Sequence, residues 1–178
     1  MRVLVVFESM YGNTHAVADH IGVGFGSEHD VVVASVRGSL ELPVDEFDVL
    51  VVGGPTHAHG ISTFATRKAA AEAAAKDDGL DLDLEAAGLG LRDWLKTLEG
   101  HQRPAAAFDT RINAPTPLTG RASKGIWRRL QRHDFRLLAE PESFLVDKQH
   151  HLIAGEADRA TEWGEALAAA LAASMITY

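Results

Sequence analysis

Directly after Arg2 the chain reads Val3-Leu4-Val5-Val6-Phe7-Glu8-Ser9-Met10-Tyr11-Gly12-Asn13-Thr14. Its five leading apolar residues predict a strand in the middle of a parallel sheet, because a strand covered on both faces has no polar side to alternate with. A polar turn follows the strand. Apolar side chains then recur at helical spacing at Ala16, Val17, Ala18 and Ile21, until the glycine-rich residues 22–26 end the helix. The stretch predicts a strand, a polar turn and a helix in succession.

The same alternation continues along the rest of the chain. Apolar runs predict four more strands, at residues 31–36, 48–54, 104–109 and 143–146. Helical patterns occupy residues 63–76, 91–98, 123–133 and 156–173. Because crossovers between parallel strands are right-handed, this alternation predicts an open α/β sheet with helices on both faces.

Length and composition favour a single domain. The chain has 178 residues, of which 46% are apolar, and it shows neither an internal repeat nor a linker. The interval between residues 55 and 104 is long for one crossover. We expect residues 77–90, which mix acidic residues, glycine and leucine, to form an extra segment beside the site or an interaction surface.

Charge and cysteine content exclude several classes of function. The net charge of −8 argues against a surface built for nucleic acid or anionic lipid. The absence of cysteine excludes disulfides, thiolate metal sites and thiol nucleophiles. The apolar runs are too short for a signal peptide or a membrane span, so we expect a cytoplasmic protein without membrane insertion. Arg128, Arg129 and Arg132 form a basic stripe that is typical of a solvated helix face, with a partner surface as the alternative.

Three loops are expected to carry the site, because ligands of such sheets bind beyond the carboxyl ends of the strands. These loops are residues 8–14, 55–63 and 108–120. The first combines backbone N–H groups at a helix start with the hydroxyls of Ser9 and Thr14 and the amide of Asn13, which suits an anion. It has no lysine and no Walker pattern, so a monophosphate fits better than a triphosphate with magnesium. A helix cap without a ligand is the alternative.

Residues 5–14, together with Ala18 and Ile21, resemble the phosphate-loop signature of the flavodoxin family. The resemblance implies a three-layer α/β sandwich whose five-stranded parallel sheet has the order 2-1-3-4-5. It also implies flavin mononucleotide (FMN) at the point where the strand order reverses. Carried over by position, the implied cofactor-binding residues are Ser9, Met10, Tyr11, Gly12, Asn13, Thr14, Pro55, Thr56, His57, Ala58, His59, Gly60, Phe108, Asp109, Thr110 and Arg111.

The sequence departs from the family pattern in the third loop. Many flavodoxins stack a tyrosine or tryptophan on the flavin from this loop, but none stands between Asp109 and Ala122. His57, His59 or Phe64 would supply a flat face instead, or the face stays open. Arg111 either lies near the pyrimidine edge, where a cation stabilises reduced flavin, or points away or pairs with Asp109.

The other candidate motifs favour structural interpretations. Two histidine pairs stand at residues 57/59 and 150/151, but no nearby carboxylate completes a set of three or four ligands in sequence, so no metal site is expected. Trp127 and Trp163 are spaced like core residues of helices. No convincing catalytic acid or base stands out.

Three functions are consistent with these observations. The first is an electron-transfer flavoprotein that carries electrons between redox partners. The second is an FMN-dependent reductase or oxidase acting on a quinone, a nitro compound or a porphyrinogen. The third is a binding module that keeps the fold without flavin, which the intact phosphate loop disfavours. The expected partner is a redox protein or a small-molecule electron acceptor.

Overall fold

The computed structural model describes residues 1–57, 59–76, 82 and 89–176. Its strands are β1 Arg2–Phe7, β2 Asp30–Ser35, β3 Val49–His57, β4 Gly60–Ile61, β5 Pro104–Ile112, β6 Arg136–Leu137 and β7 Glu142–Val146. Its α-helices are α1 Asn13–Gly24, α2 Val36–Ser39, α3 Phe64–Ala74, α4 Leu91–Trp94, α5 Thr116–Thr119, α6 Ala122–Arg132 and α7 Glu156–Ile176. Short 3₁₀ turns occupy Val44–Glu46 and Leu95–Thr97.

The sheet has the strand order that the resemblance to flavodoxins implies. β1 lies between β2 and β3, with Leu4 opposite Val32 on one side and Leu50 on the other. β3 then pairs with β5, and β5 pairs with β7, all in parallel. In order of appearance, the five predicted strands therefore stand as 2-1-3-4-5, which confirms the α/β fold with a parallel sheet.

Two short strands bring the sheet to seven. The fifth position is shared by β6, which pairs with Pro104 and Ala105, and by β7, which pairs with residues 108–112 of β5. Residues 138–141 interrupt this edge strand. β4 folds back antiparallel on the end of β3, with Thr56 opposite Ile61. The prediction of five strands was too low, because a strand of two residues has no sequence period.

Apolar cores lie on both faces of the sheet. One face packs Leu4, Val6, Leu50 and Val52 against Trp94, Leu95, Ile126 and Leu130. The other packs Val3, Val5, Phe108 and Phe144 against Ile21, Leu167 and Leu171. Trp127 and Trp163 pack against these cores from partly buried positions, as their spacing predicts. The prediction of helices on both faces is confirmed.

Close packing of α1 on α7 depends on two glycines. A Cβ atom on Gly24 would lie 2.1 Å from the carbonyl oxygen of Thr161, and one on Gly164 would lie 2.3 Å from the carbonyl oxygen of Ile21. The first helix thus continues through Gly22 to Gly24 before it ends. Gly24 and Gly164 allow the two helix backbones to come into contact. Of the glycine-rich residues 22–26, only those after Gly24 lie beyond the end of α1.

Arg159 fastens the first turn of α7 to β7. Its guanidinium donates to the carboxylates of Glu142 and Glu156 and to the carbonyl of Ser143, and it lies 4.5 Å from the centre of the Phe144 ring. The Glu156 carboxylate also accepts from the N–H of Leu145 at 2.7 Å. Burial raises the pKa of Glu156, but the Arg159 guanidinium and this N–H outweigh it and hold the pKa below its ordinary value. These contacts fix the edge strand whose far end borders the site.

Candidate functional site

A cavity of about 230 Å³ opens at the carboxyl ends of the central strands. It lies at the point where the strand order reverses. After β1 the chain continues to β2 on one side of the sheet, and after β3 it continues toward β5 on the other side. Its walls come from the turn between β1 and α1, the ends of β3 and β5, and the chain that follows β7. The lining residues are Met10, Tyr11, Asn13, Thr14, Pro55, Thr56, His57, Thr110, Arg111, Ile112, Val146 and His150.

The start of α1 lines part of the cavity, through Asn13 and Thr14. Gly12 precedes the helix with a φ of 82°, a left-handed backbone conformation that is sterically unfavourable for residues with a Cβ atom. Its N–H donates to the hydroxyl of Ser9 at 3.1 Å, so Ser9 shapes the turn from a buried position. Within the described residues no side chain caps α1, and its first turn carries no acidic residue. N–H groups of a helix's first turn lack acceptors inside the helix, so this end suits an anion.

Side-chain hydrogen bonds order the same turn. The Thr14 and Thr110 hydroxyls are 2.7 Å apart, which links α1 to the end of β5. The Asn13 amide donates to the carbonyl of His150 at 2.6 Å, and the Tyr11 hydroxyl donates to the carbonyl of Ala70 at 3.1 Å. The turn is therefore held from three sides, and Thr14 retains a hydroxyl at the cavity wall.

Glu8 anchors the turn from below. Its buried carboxylate accepts the hydroxyl of Ser62 and, at 2.7 Å, the N–H of Leu91, and one of its oxygens lies 3.8 Å from the Arg67 guanidinium. This carboxylate joins the end of β1 to the start of α4. Glu8 is outside the cavity lining, so its carboxylate stabilises the turn from beneath the cavity wall.

Three rings face the cavity. The Tyr11 and His150 rings lie 4.9 Å apart at an angle of 54°, and His57, at the end of β3, also lines the cavity. Burial lowers the pKa of His57 below its ordinary value, although the nearby Glu8 carboxylate opposes this. The imidazole is thus neutral at pH 7, with one nitrogen as donor and one as acceptor. Phe64, which the sequence offered as a flat face, is 77% exposed and does not line the cavity.

Arg111 holds the loop that follows β5. Its guanidinium donates to the carbonyl of Ala114 at 2.9 Å and to the hydroxyl of Thr119 at 3.3 Å. Its Nε is buried and has no acceptor within the described part of the chain. Arg111 lines the cavity, and within the described residues it makes no ion pair with Asp109. Its position near the pyrimidine edge of a flavin stays a prediction.

Asp109 and Phe108 lie beneath the cavity. Asp109 is fully buried, and one of its oxygens accepts the N–H of Ser123 at 2.7 Å and the Thr56 hydroxyl at 3.2 Å. Thr56 in turn accepts the N–H of Ala122 at 2.8 Å. Burial raises the pKa of Asp109 above its ordinary value, and the Ser123 N–H opposes that rise. Phe108 packs in the core against Phe144. Neither residue contributes its side chain to the lining.

The loop between β3 and β4 lies at the rim. His59 has a φ of 72° and forms an isolated bridge with Gly120, which joins this loop to the residues before α6. Neither His59 nor Gly60 is among the lining residues. Ala58 and most of the segment 77–90 lie outside the described residues, so their predicted roles stay predictions.

The structure gathers most of the expected residues and adds three. From the expected set it brings Met10, Tyr11, Asn13, Thr14, Pro55, Thr56, His57, Thr110 and Arg111 to one cavity. Sequence reasoning missed Ile112, Val146 and His150, which also line it. In the sequence, His150 is a candidate only as a metal ligand, and among the described residues no group of three or more acidic or histidine side chains could hold a metal ion.

No protein-family model and no curated protein sequence matches this chain. Solved structures do match it along almost its whole length. Flavodoxin 2 from Bacillus cereus is 21% identical, with 98% of this chain and 99% of that chain covered and a TM-score of 0.64. A flavodoxin from the domain Archaea is 19% identical over 95% of this chain and 97% of its own, with a TM-score of 0.61. A rubredoxin:oxygen oxidoreductase from Desulfovibrio gigas is 16% identical over 98% of this chain but 37% of its own, with a TM-score of 0.62.

These likenesses show the fold. The chain has a flavodoxin-like fold, as the resemblance of residues 5–14 implies. None of the helices in the described ranges combines the length and the apolar character that crossing a bilayer requires.

Proposed function

We propose that this chain binds FMN in the cavity and carries electrons between redox partners. The observation that supports the proposal best is the uncapped start of α1, which opens into a cavity at the reversal point of a flavodoxin-like sheet. FMN combines a phosphate with a flat ring, and the cavity lining offers matching chemistry for both.

The donor set fits a phosphate. The first-turn N–H groups of α1 and the Thr14 hydroxyl are donors, and the described lining includes no aspartate or glutamate that would repel an anion. The remaining walls fit a flat ring. Pro55, Ile112 and Val146 give apolar surface, and Tyr11 and His57 give ring faces. Bound FMN would supply one- and two-electron redox chemistry.

The chain's own residues hold the cavity walls that would position the cofactor. The Asp109–Thr56 bond fixes the end of β3 against α6, so the residues 55–57 that would face the ring are held. The bond from Asn13 to the His150 carbonyl keeps the chain after β7 over the α1 turn. His57 is neutral and adds no charge beside the ring, whereas the Arg111 cation lies at the wall. We expect such a cation to favour reduced, anionic flavin.

An FMN-dependent reductase or oxidase is the second candidate. It is supported by the absence of tyrosine and tryptophan between residues 109 and 122, which leaves that side of the cavity without a stacking ring. His57 and His150 at the wall would then be the nearest groups able to exchange a proton with a quinone, nitro compound or porphyrinogen. The flavin-free module is disfavoured by the donor set at α1.

A visible absorption spectrum separates these functions. The purified protein is mixed with FMN, freed of excess and then reduced stepwise without oxygen. Retained FMN supports the proposal, and slow reoxidation by small quinones or nitro compounds together with fast exchange with a redox protein supports electron transfer. Rapid turnover with the small acceptors identifies the oxidoreductase. Failure to retain FMN contradicts both.

Replacing Thr14 by valine is expected to raise the Kd for FMN about tenfold, because one hydrogen bond to a charged phosphate is lost while the shape is kept. Fluorescence quenching of FMN on binding measures the change. Riboflavin has the same ring and no phosphate, so its Kd should stay within twofold. Thr161→Val, on α7 and away from the cavity, is the matched protein control. Equal losses for FMN and riboflavin would place the phosphate elsewhere.

A further inference from the structure

Positive charge is concentrated in one part of this acidic chain. Residues 110–133 include six of the 17 basic residues and no acidic residue. The remainder has 25 acidic residues against 11 basic ones. Helix α6 occupies the second half of this interval and contains Lys124, Arg128, Arg129 and Arg132, which we call the basic face. The face therefore has the opposite sign to the molecule as a whole.

The charges of the basic face are not neutralised within the described part of the chain. Lys124, Arg128 and Arg132 are exposed at intervals of four residues, which places them along one side of the helix. None of the four basic residues forms an ion pair with a described residue. Arg129 donates to the carbonyl of Gly125 at 3.0 Å. Burial, together with the nearby Arg92 and Arg132 guanidinium groups, lowers the pKa of Arg129.

A groove of about 220 Å³ adjoins the basic face. Lys124, Trp127 and Arg128 form one wall, and Glu140 and Pro141 form the other. The indole Nε1 of Trp127 is buried and has no acceptor among the described residues. The two cations outnumber the Glu140 carboxylate, and together with the apolar Trp127 ring they suit a carboxylate side chain with its methylene stem.

The basic face begins next to the proposed cofactor site. The N–H of Ala122, the first residue of α6, donates to the Thr56 hydroxyl, and Thr56 lines the cavity. A helix of 11 residues is about 16 Å long, so a protein lying along α6 also reaches the cavity rim.

We propose that the basic face of α6 docks an acidic surface of a redox partner protein, and this inference rests on the proposed electron-transfer function. An acidic patch of limited size would meet the basic face while the acidic remainder of the chain stays outside the contact. A long polyanion such as nucleic acid would run onto that acidic remainder, which repels it. Charge complementarity of this kind acts mainly on the rate of association.

The experiment uses the FMN-loaded protein and a reduced acidic [2Fe–2S] ferredoxin in a stopped-flow spectrometer. Each reduced [2Fe–2S] cluster gives up one electron, so two reduced ferredoxins and protons from water reduce one FMN fully. The triple variant K124E/R128E/R132E is expected to lower the second-order rate constant at least about tenfold at low salt. Rising salt should slow the unchanged protein and narrow the difference. K124Q/R128Q/R132Q should give a smaller loss in the same direction and guards against misfolding, which thermal unfolding monitors.

The matched control is R37E/K68E/K96E, which changes the net charge equally at exposed positions of other elements. It should stay within threefold of the unchanged protein. Equal losses in both triple variants would overturn the proposal in favour of net charge, and an unchanged K124E/R128E/R132E rate or no electron exchange with ferredoxin would overturn it outright.

A second readout does not depend on FMN. Fluorescein-labelled deca-glutamate should bind the unchanged protein and lose at least about fivefold in affinity for K124E/R128E/R132E but not for the control. If FMN is not retained and this difference persists, the proposed function fails while the acidic docking surface stands. Tighter binding of a 20-mer DNA duplex or of vesicles containing phosphatidylserine, lost in the same variant, would reassign the face and overturn the proposal.

Discussion

Replacing Gly164 by alanine is expected to lower the free energy of unfolding by about 2 kcal/mol, the net of a packing cost of about 3 and a helix-propensity gain of about 1. The new Cβ would lie 2.3 Å from the carbonyl oxygen of Ile21, so α1 and α7 must separate. That oxygen belongs to a helix backbone and cannot rotate away as a side chain would. Urea unfolding followed by circular dichroism measures the change.

Gly22→Ala is the matched control on the opposing helix. Its Cβ would meet the side chain of Val33 at 2.9 Å, and a half-buried methyl group can adjust. The propensity gain should then offset the contact, leaving the stability within about 0.5 kcal/mol of the unchanged protein. Destabilisation of both variants by the same amount would contradict the special role of the contact between α1 and α7.

Replacing Asp109 by alanine is expected to lower the free energy of unfolding by about 2 to 3 kcal/mol. The change strands the Ser123 N–H and the Thr56 hydroxyl without their acceptor in a buried place. Because Thr56 also receives the Ala122 N–H, the end of β3 and the start of α6 loosen together. We therefore expect weaker FMN binding along with the lower stability. Full stability with full FMN affinity would show that Asp109 is dispensable.

The raised pKa of Asp109 gives this residue a pH signature. The folded protein keeps the carboxyl proton at a pH where the unfolded chain has lost it, so Asp109 contributes less stability as the pH rises. Asp109→Asn removes this titration. The unfolding free energy of the unchanged protein minus that of Asp109→Asn should fall from about pH 4 upward. Its slope is at most about 1.4 kcal/mol per pH unit, and it flattens above the folded-state pKa. A difference that rises with pH would contradict a raised pKa.

The sequence was sufficient for the central layout of the fold. The run from Val3 to Phe7 is apolar throughout because both faces of β1 are buried. The helical spacing of Val17, Ala18 and Ile21 places all three on the side of α1 that is buried. β4 and β6 could not be predicted, since a pair of residues becomes a strand only through its neighbour. β3 also runs past Pro55 to His57, because Thr56 and His57 pair with Ile61 and Gly60 of β4.

The site was predictable to the extent that topology fixes it. The loops after β1, β3 and β5 were expected at the carboxyl edge and are found there. Phe108 and Asp109 lie deeper than expected because β5 extends to Ile112, so it is residues 110–112 that reach the edge. Nothing in the sequence indicates that His150 lies at this edge of the sheet. It reaches the cavity through a left-handed backbone, with φ at 62°, and through the Asn13 bond to its carbonyl, and both depend on tertiary packing.

The last strand position of the sheet is divided between β6 and β7. The two edges of the sheet therefore differ in how readily a strand of another chain can pair with them. The edge formed by β6 and β7 is interrupted at residues 138–141, and this interruption includes Pro141. Because a foreign strand needs a continuous row of free N–H and C=O groups, this edge is a poor template for strand addition. On the opposite border, β2 is a continuous strand of sequence Asp-Val-Val-Val-Ala-Ser that pairs only with β1 among the described residues. When the protein is stressed, self-association should therefore start from β2, and a charged substitution such as Val32→Lys would suppress it at some cost to the core.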